Sequence, residues 1–230
     1  MRLFACFLRW DLLREVRRKD TVANMALFGL LVVFLSRMGV DPDPKVSDSV
    51  GPVFFWVAIL FAGTVGLSQI FAAEREGSAL SGILLAPVDL GVYYLAKVAA
   101  SWIYVMAMEL VLLTLYCVLF GFAPGRQVGY LLGAMGTFTL GYLACGVVLA
   151  AMTSALRTGG EVVLRILLVP LMIPFVWIVL RVSSTLFSTD IAGGTLGGAL
   201  RLHHFFVVGT ALDLIYLTAG YLLFPKVLEE

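Results

Sequence analysis

Long apolar runs separated by short polar segments follow one another along the whole chain. A transmembrane helix needs roughly 20 mainly apolar residues, and six of the runs meet that requirement. We predict six membrane-spanning helices over residues 22–38, 51–73, 98–122, 128–152, 162–181 and 205–224. Because nothing between them is long enough for a soluble domain, residues 1–230 are predicted to form a single all-α, polytopic membrane domain.

The segment before the first apolar run mixes apolar and basic residues at helical spacing. In RLFACFLRWDLLREVRRKD, the apolar residues Leu3, Phe7, Trp10 and Leu13 recur every three or four positions. A helix of this kind lies along the membrane surface, with its arginines close to the lipid phosphates. Residues 1–20 are therefore predicted to form an interfacial amphipathic helix. The alternative is a basic anchor that only sets the topology.

Composition agrees with the membrane assignment. Of the 230 residues, 61% are hydrophobic and only 13% are charged, whereas soluble domains are about half apolar and a quarter charged. The three cysteines form no C-x-x-C pair, and we interpret them as small apolar packing residues. No metal site and no catalytic group is predicted.

The distribution of Lys and Arg predicts the orientation, because cytoplasmic loops carry the excess of positive charge. With the N-terminus inside, eleven of the sixteen basic residues fall on the cytoplasmic side. The other side then holds only Arg37, Lys45, Arg126, Arg181 and Arg201. Both termini are predicted to be cytoplasmic.

The link between the second and third spans, residues 72–97, is predicted to lie on the cytoplasmic side. Charged residues meet water at its start, Gly77 and Ser78 can break the preceding helix, and an amphipathic piece follows. Such a link suits a short helix available to another protein, although its charges could equally mark a membrane boundary. The candidate coupling residues are Glu74, Arg75, Glu76, Gly77, Pro87 and Asp89.

The stretch LRTGGEVVLRILLVPLMIPF, from Leu156, puts glycines and charges directly against an apolar run with two prolines. The glycines allow a tight turn, Glu161 and Arg165 can pair four residues apart, and each proline removes a helix hydrogen bond. We predict a hinge, with a static kink as the alternative. The hinge residues are Arg157, Gly159, Gly160, Glu161, Pro170 and Pro174.

Few ionisable groups lie within the spans or at their predicted outer ends. Carboxyl groups at membrane depth are costly and are functional candidates, although a hydrogen bond to a neighbouring helix explains Glu109 equally well. The segment 183–204 is predicted to be a periplasmic loop whose glycines oppose a long helix. The candidate polar groups are Glu109, Asp213, Arg181, Arg201, His203 and His204. Instead of contacting a substrate, the arginines could anchor the topology and the histidines could simply be solvated.

Two motifs resemble those of the CcmB family, the haem exporter membrane subunits among the type-2 ABC exporter permeases. The first is E-R-E-G-S-A-L-x-x-I-L-L-A-P-V-D-x-x-x-Y-Y-L-A-K, from Glu74 to Lys97. The second is G-G-x-x-x-x-x-I-L-x-x-P-L-x-x-P, in which Gly159 and Gly160 precede the two prolines. The length, the six spans and the basic leader agree, so the resemblance extends over essentially the whole chain.

The resemblance implies a permease subunit in c-type cytochrome biogenesis, located in the bacterial inner membrane. No G-x-x-x-x-G-K-[ST] phosphate-binding loop occurs, so ATP would be bound by a separate ATPase, CcmA, docked on the 72–97 loop. The resemblance further implies two copies of this chain, haem as cargo, and the partners CcmC, CcmD and, indirectly, the chaperone CcmE. The alternatives are a type-2 permease for a lipid, glycan or drug, and a membrane redox protein, against which the single histidine pair speaks.

Overall fold

The computed structural model describes residues 2–17, 19–39, 44–70, 88–121, 128–154, 159–187 and 196–229. Within these ranges the chain is almost entirely helical and contains no strand. The helices are α1 (Arg2–Arg17), α2 (Lys19–Gly39), α3 (Pro44–Gln69), α4 (Leu90–Phe120), α5 (Val128–Ser154), α6 (Gly160–Phe187) and α7 (Leu196–Glu229). Helices α2 to α7 each contain a stretch long and apolar enough to cross a membrane. The predicted all-α fold with six spans is therefore confirmed.

Two predicted loops are shorter than expected, because helices extend into them. Helix α4 begins at Leu90, so residues 90–97 of the predicted 72–97 loop are helical. Helix α6 continues to Phe187, and α7 already begins at Leu196, so both ends of the predicted 183–204 loop are helical as well. The expectation that glycines would prevent a helix there is wrong for Gly197 and Gly198, which lie within α7. Their low intrinsic helix propensity is overridden by the long apolar helix that follows.

Helix α5 is the central helix of the bundle. It packs against α4, α6 and α7, with a smaller contact to α3. Within an apolar 18-residue stretch of this helix 72% of the residues are buried, a larger share than in the corresponding stretch of any other candidate span. Every position from Gly141 to Ala151 is buried, which explains why this helix shows little polar character on any face.

Small residues allow the neighbouring helices to approach α5 closely. A Cβ atom at Gly141 would clash with the Phe175 ring of α6, and one at Gly146 would clash with the Leu67 side chain of α3. Gly129 near the start of α5 has nothing within 4 Å of its Cβ position. Close packing on glycine therefore occurs in the middle of α5, where helices are held together by tight van der Waals contact.

Helix α1 packs mainly against α4 and more weakly against α2. Leu3, Trp10 and Leu13 are exposed, as expected for a face that meets lipid. Phe7, predicted on that same face, instead lies with its ring centroid 5.3 Å from that of Tyr93 in α4. Cys6 is also exposed, so the interpretation as a core residue is wrong for it, whereas Cys145 is buried. The position of α1 at the membrane surface stays a prediction.

The two glycines of α5 form a matched pair for testing the packing. We expect Gly141→Ala to lower the free energy of unfolding by about 1–3 kcal/mol, because the added methyl group overpacks the contact with Phe175. Gly129→Ala should be neutral or slightly stabilising, since alanine favours helix. Thermal unfolding in detergent measures both changes. Equal melting temperatures for the two variants would contradict the assignment of Gly141 to a tight contact.

Candidate functional site

Asp89 caps the first turn of α4, where the chain leaves the predicted coupling segment. Its Oδ1 accepts a hydrogen bond from the Gly91 backbone N–H at 2.8 Å, an ordinary helix N-cap. Its Oδ2 accepts a second one from the Tyr221 hydroxyl of α7 at 3.2 Å. The other coupling candidates, Glu74, Arg75, Glu76, Gly77 and Pro87, lie outside the described residues. Asp89 therefore joins the end of this segment to α7.

The sequence Tyr93-Tyr94-Leu95-Ala96-Lys97, which closes the first family-like motif, connects α4 to three other helices. Tyr94 donates a hydrogen bond to the Ala144 carbonyl of α5 at 2.8 Å. The rings of Tyr93 and Tyr94 both pack against Phe224 of α7, and Tyr93 also meets α1. Both tyrosines are fully buried. This stretch, with Asp89, forms a junction of α1, α4, α5 and α7.

A buried ion pair lies at the same junction. Lys97 Nζ donates to Asp11 Oδ1 at 3.1 Å, and the two side chains are only 5% and 9% exposed. The ammonium group also lies 5.6 Å from the centroid of the Tyr93 ring. Since two charges lose their hydration on burial, such a pair is costly to disrupt from one side only. It fixes α1 to the beginning of α4.

Glu109 is the single acidic residue of α4, and its side chain is only 2% exposed. Thr139 of α5 donates a hydrogen bond to its Oε1, while its Oε2 has no hydrogen-bond partner among the described residues. This is the arrangement expected of a carboxyl group that links two helices. It joins α4 to α5 within the apolar core.

Asp213 of α7 lies on another side of α5 and is 3% exposed. Its Oδ1 would clash with a Cβ atom at Gly141, so the carboxyl group rests directly against the α5 backbone. Neither of its oxygens makes a hydrogen bond within the part of the chain that the structure describes. Thr139 and Gly141 are two positions apart and thus point to different sides of α5. Glu109 and Asp213 are therefore two separate sites rather than one acidic pair.

Gly159 shapes the start of α6. Its φ of 79° lies in the left-handed region that glycine adopts readily, and its carbonyl accepts hydrogen bonds from the N–H groups of Val162 and Val163. Gly160 is the first residue of α6. Arg157 and the side chain of Glu161 lie outside what the structure describes. The predicted tight turn is thus located at Gly159.

Pro170 and Pro174 both lie inside α6, which continues as one helix through them. Pro170 is exposed and Pro174 is half-buried. The helix is not locally opened in this conformation, since its helical assignment is unbroken from Gly160 to Phe187. The prolines nevertheless remove two backbone donors from the same face of α6.

The predicted outer polar groups lie at the end of α6 and near the beginning of α7. The Arg181 guanidinium lies 5.6 Å from the ring centroid of Trp177 on its own helix. His203 and His204 are exposed on α7, and they belong to that helix rather than to a loop. Adjacent helical residues point about 100° apart, so these two imidazoles cannot hold one iron from opposite sides. The side chain of Arg201 lies outside the described part.

Sequence reasoning missed the junction at the start of α4. From the sequence alone, Lys97 is placed only at the end of the predicted 72–97 loop, and no role is predicted for Asp11. The available signal was the position of Asp11, four residues after Phe7 and therefore on the same face of α1. A sequence cannot show which lysine meets that carboxylate, since 86 positions separate the pair.

Removing one charge of the ion pair should be costly. We expect Lys97→Met to lower the free energy of unfolding by about 3–5 kcal/mol, because Asp11 would remain buried without its cation. The double variant Asp11→Leu/Lys97→Met should recover most of that loss. Lys226→Met, at an exposed lysine of α7, is the matched control. Thermal unfolding in detergent measures all three, and additive losses in the double variant would contradict the ion pair.

Comparison with known proteins identifies the family. The sequence model of the CcmB protein family matches residues 1–219. The chain is 34% identical over 161 residues to Heme exporter protein B of Pseudomonas aeruginosa, covering 69% of this chain and 70% of that protein. It is 32% identical to Heme exporter protein B of Escherichia coli strain K12 over 174 residues, covering 75% and 77% of the two chains. The protein of the same name from Haemophilus influenzae is 30% identical over 175 residues, with the same coverage. With six membrane spans and a match over nearly its whole length, the chain belongs to the CcmB protein family.

Proposed function

We propose that this chain is the membrane permease subunit of a haem exporter in the bacterial inner membrane. It would couple ATP hydrolysis by the separate ATPase CcmA to haem export, or to release of the haem-loaded chaperone CcmE, during c-type cytochrome maturation. The observation that carries the proposal is the family match over residues 1–219 in a chain with six membrane spans. The name of the relatives, Heme exporter protein B, supports haem as the cargo.

A transporter of this kind needs an energy source outside the chain. The sequence contains no G-x-x-x-x-G-K-[ST] loop to hold the phosphates of ATP. We therefore assign ATP binding to a partner that docks on the segment around Glu74, Arg75 and Glu76. CcmC and CcmD are the further partners of the proposal, and two copies of this chain form its core.

The junction at the start of α4 suits the transmission of motion from such a partner. Asp89 and Gly91 stand at the end of the coupling segment and touch Tyr221 of α7. Lys97 connects the same end to α1 through Asp11. A displacement of the segment would thus reach α1, α4 and α7 together, because hydrogen bonds and packed rings join them.

Charge reversal in the coupling segment tests the docking of the ATPase. We expect Glu74→Lys/Glu76→Lys to reduce the amount of ATPase that co-purifies with the tagged chain by about tenfold, since like charges at an interface cost several kcal/mol. The measurement is a mild-detergent pull-down from native membranes with quantitative mass spectrometry. Lys45→Glu/Arg126→Glu, which reverses two charges predicted on the opposite side, is the matched control.

The same pull-down tests the proposed function. Recovery of an ABC ATPase together with a CcmC-like protein supports it. An ATPase recovered without a haem-handling partner would assign the permease to a lipid, glycan or drug, and recovery of no ATPase would contradict the proposal.

The prolines of α6 are proposed to act as a hinge during transport. We expect Pro170→Ala/Pro174→Ala to lower the yield of haem-loaded c-type cytochrome several-fold while the chain stays stable, because alanine restores the helix hydrogen bonds and stiffens α6. Pro225→Ala in α7 is the control, since that proline also lies inside a helix. The measurement is covalent haem in cytochrome c of the same cells. Unchanged yield in the double variant would leave the prolines with a packing role only.

A further inference from the structure

An apolar groove of about 670 Å³ runs along the bundle between α3 and α6. Its α6 wall extends from Arg165 to Leu180, which is about 22 Å of helix at 1.5 Å per residue. Phe28 of α2 forms part of the rim. The volume lies within the roughly 300–1,000 Å³ typical of small-molecule sites. The groove is thus large enough for a ligand and lies outside the junction described above.

The chemistry of the lining is uneven. Three aromatic side chains, Phe28, Phe61 and Trp177, are each about half exposed, so parts of their rings are open to a ligand. Arg165, an exposed cation, lines one end. The lining otherwise consists of aliphatic side chains, Met172 and a single threonine. Aromatic faces accept flat apolar rings, and arginine binds carboxylates through charge-assisted hydrogen bonds.

We propose that this groove binds haem, with the macrocycle against the aromatic side chains and a propionate on Arg165. The inference rests on the proposed function, which supplies haem as the cargo, and it adds a location in this chain. An apolar macrocycle with carboxylates on one edge matches a groove that is apolar along its length and cationic at one end. A second cation, Arg181, lies one residue beyond the end of the α6 wall, with its guanidinium 5.6 Å from the ring centroid of the lining residue Trp177.

Thr64 offers a way to fill the groove without disturbing the helix ladder. It lines the groove, and its hydroxyl donates only to the carbonyl of Phe61 on its own helix, at 2.8 Å. Thr114 of α4 makes the same kind of intrahelical hydrogen bond, to the Leu110 carbonyl at 2.8 Å, and does not line the groove. Thr64→Trp and Thr114→Trp therefore add the same bulk to comparable threonines, of which only one lines the groove.

The test is a titration of ferric haem, followed by Soret absorption, on the complex of this chain with its ATPase in lipid nanodiscs, purified from cells that lack the haem-handling CcmC-like protein. We expect Thr64→Trp to weaken haem binding at least tenfold and Thr114→Trp to leave it unchanged. Arg165→Ala should weaken binding about tenfold or more, since one charge-assisted hydrogen bond is lost. Arg9→Ala, at an exposed arginine of α1, is its control.

Each other outcome overturns the inference. Wild-type complex that binds no haem, or Thr64→Trp complex with unchanged affinity, excludes the groove as a haem site. If Thr64→Trp leaves haem binding intact but removes a bound phospholipid by mass spectrometry, an acyl chain occupies the groove. If it instead separates two copies of the chain, the groove is a dimer contact. The ATPase content of the same samples tests the proposed function separately, because recovery of the ATPase does not depend on the groove.

Discussion

The bilayer interior offers no water to hydrogen-bonding groups, so polar side chains there need partners within the protein. In this fold, helix α5 provides several of these partners. Tyr94 and Trp102 of α4 donate to the carbonyls of Ala144 and Gly136 on α5, and Thr139 of α5 donates to Glu109. Gly141 brings α6 and α7 against the same helix. These polar side chains of α4 and α5 are thus directed into the interior of the bundle. Many apolar side chains of α4 and α7, such as Val111, Val118 and Leu214, are left exposed on the outside.

A second consequence of the same constraint is found where α1 joins α4. A lysine and an aspartate on predicted cytoplasmic helices would normally be solvated, yet Lys97 and Asp11 are both nearly inaccessible. A buried pair seldom adds net stability compared with apolar residues of the same shape. Its physical effect is to define one position of α1 on α4, because only that position keeps both charges paired. The packing of Phe7 on Tyr93 one helical turn away favours the same position.

The architecture could be predicted because apolar length alone identifies a membrane span, and all six apolar runs proved to be helices. The turn at Gly159 could also be predicted, because paired glycines directly before an apolar run favour a tight turn. The contacts between side chains of different helices could not be predicted from the sequence. Nothing in the sequence indicates that Trp56 would donate to Ser183, or that the carboxyl group of Asp213 would rest against Gly141. The helix ends that lie within the predicted loops were also not predicted. A charged residue such as Lys97 interrupts an apolar run in the sequence, but the helix continues through it.

The groove, the coupling segment and the proline-containing helix are connected by the order of the chain. Helix α3 forms one wall of the groove and ends at Gln69, directly before the coupling segment. Helix α6 forms the other wall and begins at Gly160, directly after the turn at Gly159, and both prolines lie within the length of that wall. A change in the angle between α3 and α6 must alter the width of the groove, since their side chains face each other across it. Under the proposed function, a motion of the coupling segment would act first on α3, and a bend at the prolines would act on α6. Under the proposed function, the two predicted moving parts would therefore both act on the width of the groove.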